Sequence, residues 1–298
     1  MRYSICLSYD GASFCGWQIQ PNAPSVQASL EGTLSRLLNR PVAVTGAGRT
    51  DTSVNAVNYL AHFDVDGELP FGQSDFCYKL NAMLPRSIAV HSVVPVADDF
   101  HARFSARRRE YTYFIHRQKD PFVAPWSWQC GYPHLDFEAM NQACQYLLGT
   151  HDFSCFEKTG GDNKTSICTV FEAFWAPYTP SHLQILSMSE EGVGSKIHGH
   201  PRPGKREEPA ADGSGRGRSE AEAICGPIPS SDRSYWYFRI AADRFLRNMV
   251  RATVGSLIEV GRGKHRPEWI AELIAGGTRG DAGESVPGNA LFLNKVSY

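Results

Sequence analysis

The chain has 298 residues, 42% of them apolar and 11% aromatic, enough for one large domain or two ordinary ones around real cores. Its net charge of −1 excludes a global basic field, so any binding of a polyanion must come from local clusters. The 8 cysteines contain no C-x-x-C pair, which argues against a disulfide framework, and no run approaches the ~18 apolar residues of a membrane span. Met1 to Leu7 enters a strand pattern instead of the apolar stretch and cleavage site of a secretory signal. The expectation is a soluble, cytoplasmic chain with reduced thiols.

In chain order, Tyr3, Ile5, Leu7 and Tyr9 alternate with polar or small residues and predict a first strand. Asp10-Gly11 ends it and opens a loop containing Phe14, Gly16, Trp17 and Gln18. Pro24-Ser25 offers a helix cap, and Leu30, Leu34, Leu37 and Leu38 recur as one apolar face. Between Val42-Ala43-Val44 and the alternating run from Ala56 to Phe63 lies Gly46-Ala47-Gly48-Arg49-Thr50-Asp51. A helix over 75–83 and a strand over 88–94 follow, so helix and strand are mixed.

Residues 107–116 read as a strand with one basic end, 137–148 as a helix closed by Gly149, and 167–175 and 182–188 as strands. From about 189 to 232 the composition turns to Gly, Pro, Ser, Glu, Lys and Arg, which predicts a long mobile insertion. His198 and His200 inside it lack partners at ligand spacing, so no metal is expected there. Tyr235 to Ile240 is strongly β-prone. A helix over 245–260 carries the stripe Leu246, Met249, Val250, Val254, Leu257 and Ile258, with Arg247 and Arg251 on its flank. An arginine there needs an anion or a carbonyl, and Glu259 and the loop Asp51 are both available.

Gly46 and Gly48 permit a tight backbone path, so the loop between them and Asp51 presents an arginine and an aspartate side by side at the end of a strand. The plain reading is a surface turn pair; the functional one makes Asp51 the reacting group. Gly11 and Gly16 have P-loop spacing, but Trp17 stands where that loop needs lysine. Asp51 occupies the third glycine position of a dinucleotide fingerprint, and no G-x-S-x-G elbow exists. Nothing singles out two particular acids for a glycosidase. What remains is one loop aspartate, aromatics, and two arginine clusters: Arg103, Arg107, Arg108 and Arg109, and Arg244, Arg247 and Arg251. That combination suits work on a base in RNA.

In order along the chain, the residues resemble the tRNA pseudouridine synthases of the TruA type. Tyr9-Asp10-Gly11, Phe14, Gly16-Trp17-Gln18 and Gln20-Pro21 are similar to the family's opening loop, and Val26-Gln27 with Leu30-Glu31 to its next helix. Ala47-Gly48-Arg49-Thr50-Asp51 matches the catalytic loop. Asn81 to Pro85, Phe100 to Phe104, Arg109 to Tyr113 and Gly149 to Phe153 follow. Phe245 to Arg251 with Val254-Gly255, and then Leu291-Phe292-Leu293 with Val296 and Tyr298, complete the match. The departures are Thr52, Ser53 and Asn55 where the family has alanine, glycine and histidine, Ala290 in place of a glycine, and an unusually long insertion up to Asp232.

The resemblance implies an α+β fold of two similar domains, 1–105 and 106–298, each an antiparallel-rich sheet with helices on one face and the active-site cleft between them. It assigns Asp51 as nucleophile or base and Arg251 as its partner. Arg49 would help displace the target nucleotide, Tyr111 would stack on its base, and Leu291 would close the pocket floor. Arg103, Arg107, Arg108 and Arg244 would meet the RNA backbone. The implied reaction converts uridine to pseudouridine at tRNA positions 38, 39 and 40, in a homodimer, with no cofactor. Asp51 acts either by attack on C1′ or by removal of the 2′ proton. The altered loop after Asp51 keeps a second reading open, an RNA-binding protein that no longer catalyses.

Overall fold

The computed structural model describes residues 1–158, 160, 165–184 and 234–298. The insertion expected at 189–232, with His198 and His200, lies outside the described residues, as does most of the strand expected at 182–188. The first residues of that run belong to a helical turn at 181–184.

Among the described residues, ten strands form one sheet: β1 (Arg2–Tyr9), β2 (Val44–Gly46), β3 (Asn55–Asp64), β4 (Ile88–Val96), β5 (Arg108–His116), β6 (Trp128–Gln129), β7 (Gly149–Asp152), β8 (Ile167–Pro177), β9 (Tyr235–Ala242) and β10 (Leu291–Ser297). Their order is β4-β1-β3-β10-β5-β9-β8-β7, with β2 added on β3 and β6 on β5. β1 runs antiparallel to β3 and β4. The last strand enters the middle, parallel to β3 through Phe292 opposite Asn55, and antiparallel to β5 through Leu291 opposite Tyr113 and Leu293 opposite Tyr111. The fold is therefore α+β with a mixed, largely antiparallel sheet.

Helices pack on it, among the described residues α1 (Val26–Leu38), α2 (Gln73–Met83), α3 (Phe137–Gln145), α4 (Met249–Gly261) and α5 (Trp269–Gly276). Ser25 caps α1 by accepting from Ala28 N at 3.2 Å, and Asn39 ends it in the left-handed region at φ 50°. Leu30 and Leu34 of α1, with Phe76 and Leu80 of α2, are fully buried against Ile5, Leu7, Tyr59 and Phe63 of the sheet. Truncating a leucine in such a setting costs about 2–5 kcal/mol. A second cluster packs α3, α4 and α5 against β5, β8 and β9 through residues such as Met140, Leu257, Ile270, Ile115, Val170 and Phe238. Strand β10 serves both: Leu291 belongs to the second cluster and Leu293 to the first, and half-buried Tyr111 packs against each.

Two helix boundaries differ from the periodicity. Helix α3 stops at Gln145, before Gly149, whose φ of +100° starts strand β7. Helix α4 begins at Met249 because Asn248 sits at φ 65°, a conformation asparagine tolerates and a helix excludes. Arg247 consequently precedes the helix and is exposed, while Arg251 lies in its first turn.

Contact density divides the chain into one compact unit, Met1–Ala176 with Trp236–Tyr298, and another, Pro177–Tyr235. Within the latter, Tyr178 N donates to Tyr235 O at 3.1 Å. Among the described residues, no helix is long and apolar enough to cross a membrane, and no group of three or more His, Cys, Asp or Glu could hold a metal ion.

Candidate active site

Asp51 lies in the loop from β2 to β3, and that loop is fixed from below by its backbone. Ala47 N donates to Leu60 O at 2.9 Å, Trp17 N to Thr50 O at 3.3 Å, and Ser53 N to Phe14 O at 3.2 Å. The buried Tyr59 hydroxyl donates to Gly48 O at 2.5 Å, and Tyr9 shares a hydrogen bond of 2.9 Å with the Thr50 hydroxyl. Burial pushes the hydroxyls of Tyr9 and Tyr59 well above their ordinary range, so both are neutral.

Neighbouring glycines approach so closely that no side chain fits. A Cβ on Gly16, which has φ +94°, would stand 2.3 Å from Thr50 O, and one on Gly288 would stand 2.5 Å from Thr52 O. Asn55, buried at the start of β3, ties both flanks together. Its Oδ1 accepts from Gly11 N at 2.8 Å, and its Nδ2 donates to Asn289 O at 2.7 Å. Asn55 thus serves as a two-way backbone clamp. Ser53 adopts φ 63°.

Arg251 reaches this loop from the first turn of α4. Its Nη1 lies 3.5 Å from Asp51 Oδ2, and its Nε donates to Val286 O at 2.7 Å. The alternative partner is engaged elsewhere: Glu259 pairs with Arg262 at 2.7 Å and Lys264 at 2.6 Å. Asp51 keeps 28% of its side chain open and Arg251 22%, so the pair sits at the edge of solvent rather than sealed in the core. A substrate can reach it.

Tyr111 stands on β5 beside Leu293, with Phe245 edge-on at 5.0 Å between ring centroids. Burial drives its hydroxyl well above the ordinary range, opposed by Arg109 and reinforced by the negative charge of Asp51. Leu291, two residues before Leu293, is buried in the cluster behind. Arg49 is exposed, one residue before the buried Thr50.

The basic residues separate into different environments. Arg103 and Arg107 are exposed, and Arg244 is half-buried beside Asp243, whose carboxylate accepts from Arg244 N at 2.7 Å. Side chains alternate along β5, so Arg108 projects to the face opposite Tyr111. There it donates to Glu110 at 3.1 Å and Glu172 at 2.8 Å, in a network with Arg239. Arg109, on the Tyr111 face, binds carbonyls: Asp243 O and Arg103 O at 2.6 Å, Ala47 O and Ala106 O at 3.2 Å. Sequence reasoning counted it as part of a charge cluster and gave it no role. The signal available was its place two residues before Tyr111 in an alternating strand.

The structure thus brings Asp51 and Arg251 into contact, sets Tyr111 within electrostatic reach of Asp51 with Leu291 in the cluster behind, and leaves Arg108 on another face. A carboxylate, a guanidinium and an aromatic ring at an open edge can hold a planar base and act on the sugar attached to it. A family described as tRNA pseudouridine synthase matches residues 143–298. The tRNA pseudouridine synthase A of Parabacteroides distasonis is 40% identical over 298 residues, covering 100% of this chain and 96% of that protein. Those of Porphyromonas gingivalis and Exiguobacterium sp. are 36% and 33% identical over 297 residues, covering 100% of this chain and 97% and 98% of theirs. The chain belongs to the tRNA pseudouridine synthase family.

Proposed function

We propose that the chain isomerises uridine to pseudouridine in tRNA, at positions 38, 39 and 40 of the anticodon arm. The observation that carries this reading is the meeting of Asp51 with Arg251, 200 residues apart in sequence, beside Tyr111. In the reaction the bond from N1 to C1′ breaks, the uracil turns, C5 bonds to C1′ and loses its proton, and N1 gains one. Atoms and electrons balance without a cofactor.

Unstacking one nucleotide costs a few kcal/mol, which Arg49 offsets by entering the vacated space and Tyr111 by stacking on the extruded base. Arg251 holds the Asp51 carboxylate toward the sugar while Leu291 backs the pocket. Arg103, Arg107 and Arg244 contact phosphates and set register without reading sequence. Arg108, shared between two carboxylates on the other face of β5, joins them only where a long RNA passes round the sheet. Such an RNA suits a homodimer in which two subunits hold one tRNA. The same reading divides the chain into synthase domains 1–105 and 106–298 with the cleft between them, working in the cytoplasm.

The test is incubation of the purified chain with an unmodified tRNA transcript, mapping pseudouridine beside an Asp51→Ala control. Product in the wild type and none in the variant, with tRNA binding retained, is the expected result. A wild type that binds tRNA and leaves every uridine unchanged would overturn the reading in favour of an RNA-binding module.

A further inference from the structure

Phe104 is 76% exposed, on the segment that leads from β4 to β5. A single exposed aromatic is ordinary on a protein surface, so exposure alone carries nothing. What distinguishes Phe104 is how firmly the backbone beneath it is held. Arg2 of β1 donates to Phe100 O at 2.8 Å. Ala102 N donates to His62 of β3 at 3.1 Å, and the Tyr298 hydroxyl donates to Ala102 O at 2.7 Å. Arg109 of β5 donates to Arg103 O at 2.6 Å. Side chains from three strands and the residue after a fourth therefore converge on Phe100, Ala102 and Arg103. Phe104 N itself donates to His101 Nδ1 at 3.3 Å, and the His101 ring lies against the Phe104 ring at 4.4 Å.

The clamp is joined directly to the candidate active site. One nitrogen of Arg109, Nη2, serves both Arg103 O at 2.6 Å and Ala47 O at 3.2 Å, and Ala47 opens the loop that ends in Asp51. The position of Phe104 is thereby fixed relative to the reacting group. Arg103 places its guanidinium 5.6 Å from the Phe104 ring centre, and exposed Arg107 follows three residues later. A water-facing ring on a pinned backbone, with one exposed arginine against it and another three residues on, matches an unpaired nucleotide, which offers a flat face and a phosphate together. Because the backbone beneath the ring is already held, contact need restrict only the side chain.

We propose that Phe104 is a stacking platform for a single-stranded base of the RNA substrate outside the reacting uridine, held in register with Asp51 through Arg109. The proposal rests on the RNA-modifying reading given above. Stacking on a base is insensitive to salt, whereas phosphate contacts by arginine are not, and that difference separates Phe104 from its neighbours.

The experiment is steady-state pseudouridine formation on an unmodified tRNA transcript at several salt concentrations, with wild type, Phe104→Leu, Phe104→Trp and Arg103→Ala. Loss of the ring in Phe104→Leu is expected to raise KM about tenfold, with kcat within about twofold and the salt slope unchanged, in line with aromatic–base stacking. Phe104→Trp should restore KM. Arg103→Ala, which keeps the carbonyl bound by Arg109, should also raise KM but flatten the salt slope by about one. Melting and circular dichroism confirm that each variant is folded, as expected for a side chain this exposed. An unchanged KM in Phe104→Leu, or a Phe104→Trp no better than leucine, overturns the stacking platform while wild-type activity leaves the enzymatic reading standing. A wild type that forms no pseudouridine overturns the enzymatic reading and the platform with it.

Discussion

Arg251 gives its shorter hydrogen bond, 2.7 Å from Nε, to the backbone of Val286, and faces Asp51 with Nη1 at 3.5 Å. The guanidinium is anchored by the carbonyl and aimed at the carboxylate, a division of labour that needs its fixed planar fork. Arg251→Ala should lower kcat by about 100-fold or more, the scale seen when one preorganised charged group is removed from a reaction site. Arg251→Lys keeps the charge but has only one nitrogen to divide between both partners. It is expected to fall between wild type and alanine in kcat, with KM for tRNA nearly unchanged. Equal kcat for lysine and wild type would show that charge alone suffices.

Asn55 holds a donor in one loop and an acceptor in another. Asn55→Ala would leave Gly11 N and Asn289 O without their partner, and an unmet buried group costs about 1–3 kcal/mol. Gly11 N is the buried one and Asn289 O is only part-buried, so the expected loss, measured by denaturant midpoint, is about 1–3 kcal/mol. Asn55→Asp keeps the acceptor for Gly11 but sets a carboxylate oxygen against Asn289 O, so it should be less stable than alanine at neutral pH. If Asn55→Ala melts like wild type, the clamp has no energetic weight.

Ser53 occupies the left-handed region at φ 63°, which costs a residue with a Cβ about 1–2 kcal/mol. Ser53→Gly removes that strain but adds about 0.5–1 kcal/mol of chain entropy to the unfolded state. The net expectation is a gain of roughly 0.5–1 kcal/mol, or about 1–3 °C in Tm for a chain of this size. Ser53→Val, with a branched Cβ in the same place, should lose stability and displace the Asp51 loop. A glycine variant that melts lower than wild type would mean that the serine makes a contact worth more than its strain.

Much of the architecture was legible because it is local. The alternation of Tyr3, Ile5, Leu7 and Tyr9, the leucine face of α1 and the Ser25 cap each follow from a few adjacent residues. The start of α4 was not legible, since asparagine is compatible with a helix until its own φ of 65° is known. Nor was the insertion of β10 between β3 and β5, which depends on pairings with strands far apart in the chain. Asp51 could be singled out from its loop and Arg251 from its helix, but that Glu259 is taken by Arg262 and Lys264 is a fact of packing. Asn55 read as a missing titratable group because its two hydrogen bonds reach residues 11 and 289. Charge grouped Arg108 with Arg103 and Arg107, whereas the period of two along β5 already places Arg108 opposite Tyr111.

Glu110 sits under that opposite face, accepting from Arg239 at 2.6 Å and Arg108 at 3.1 Å. Burial pushes its carboxyl upward, but the hydrogen bonds from Arg239 and Arg108 outweigh burial and hold it below its ordinary value of 4.5. A carboxylate depressed in the folded state binds its proton more readily in the unfolded chain. Its stabilising contribution is therefore complete above about pH 4.5 and is lost as pH falls through the folded value. Glu110→Gln keeps the shape and removes the charge, so it should be less stable than wild type at pH 7 by about 1–3 kcal/mol, the scale of hydrogen bonds to a charged group. The gap between the two should narrow steadily from pH 5 to pH 3. Denaturant melts across that range check it, and a gap that stays constant with pH would show that the carboxylate charge contributes nothing to the fold.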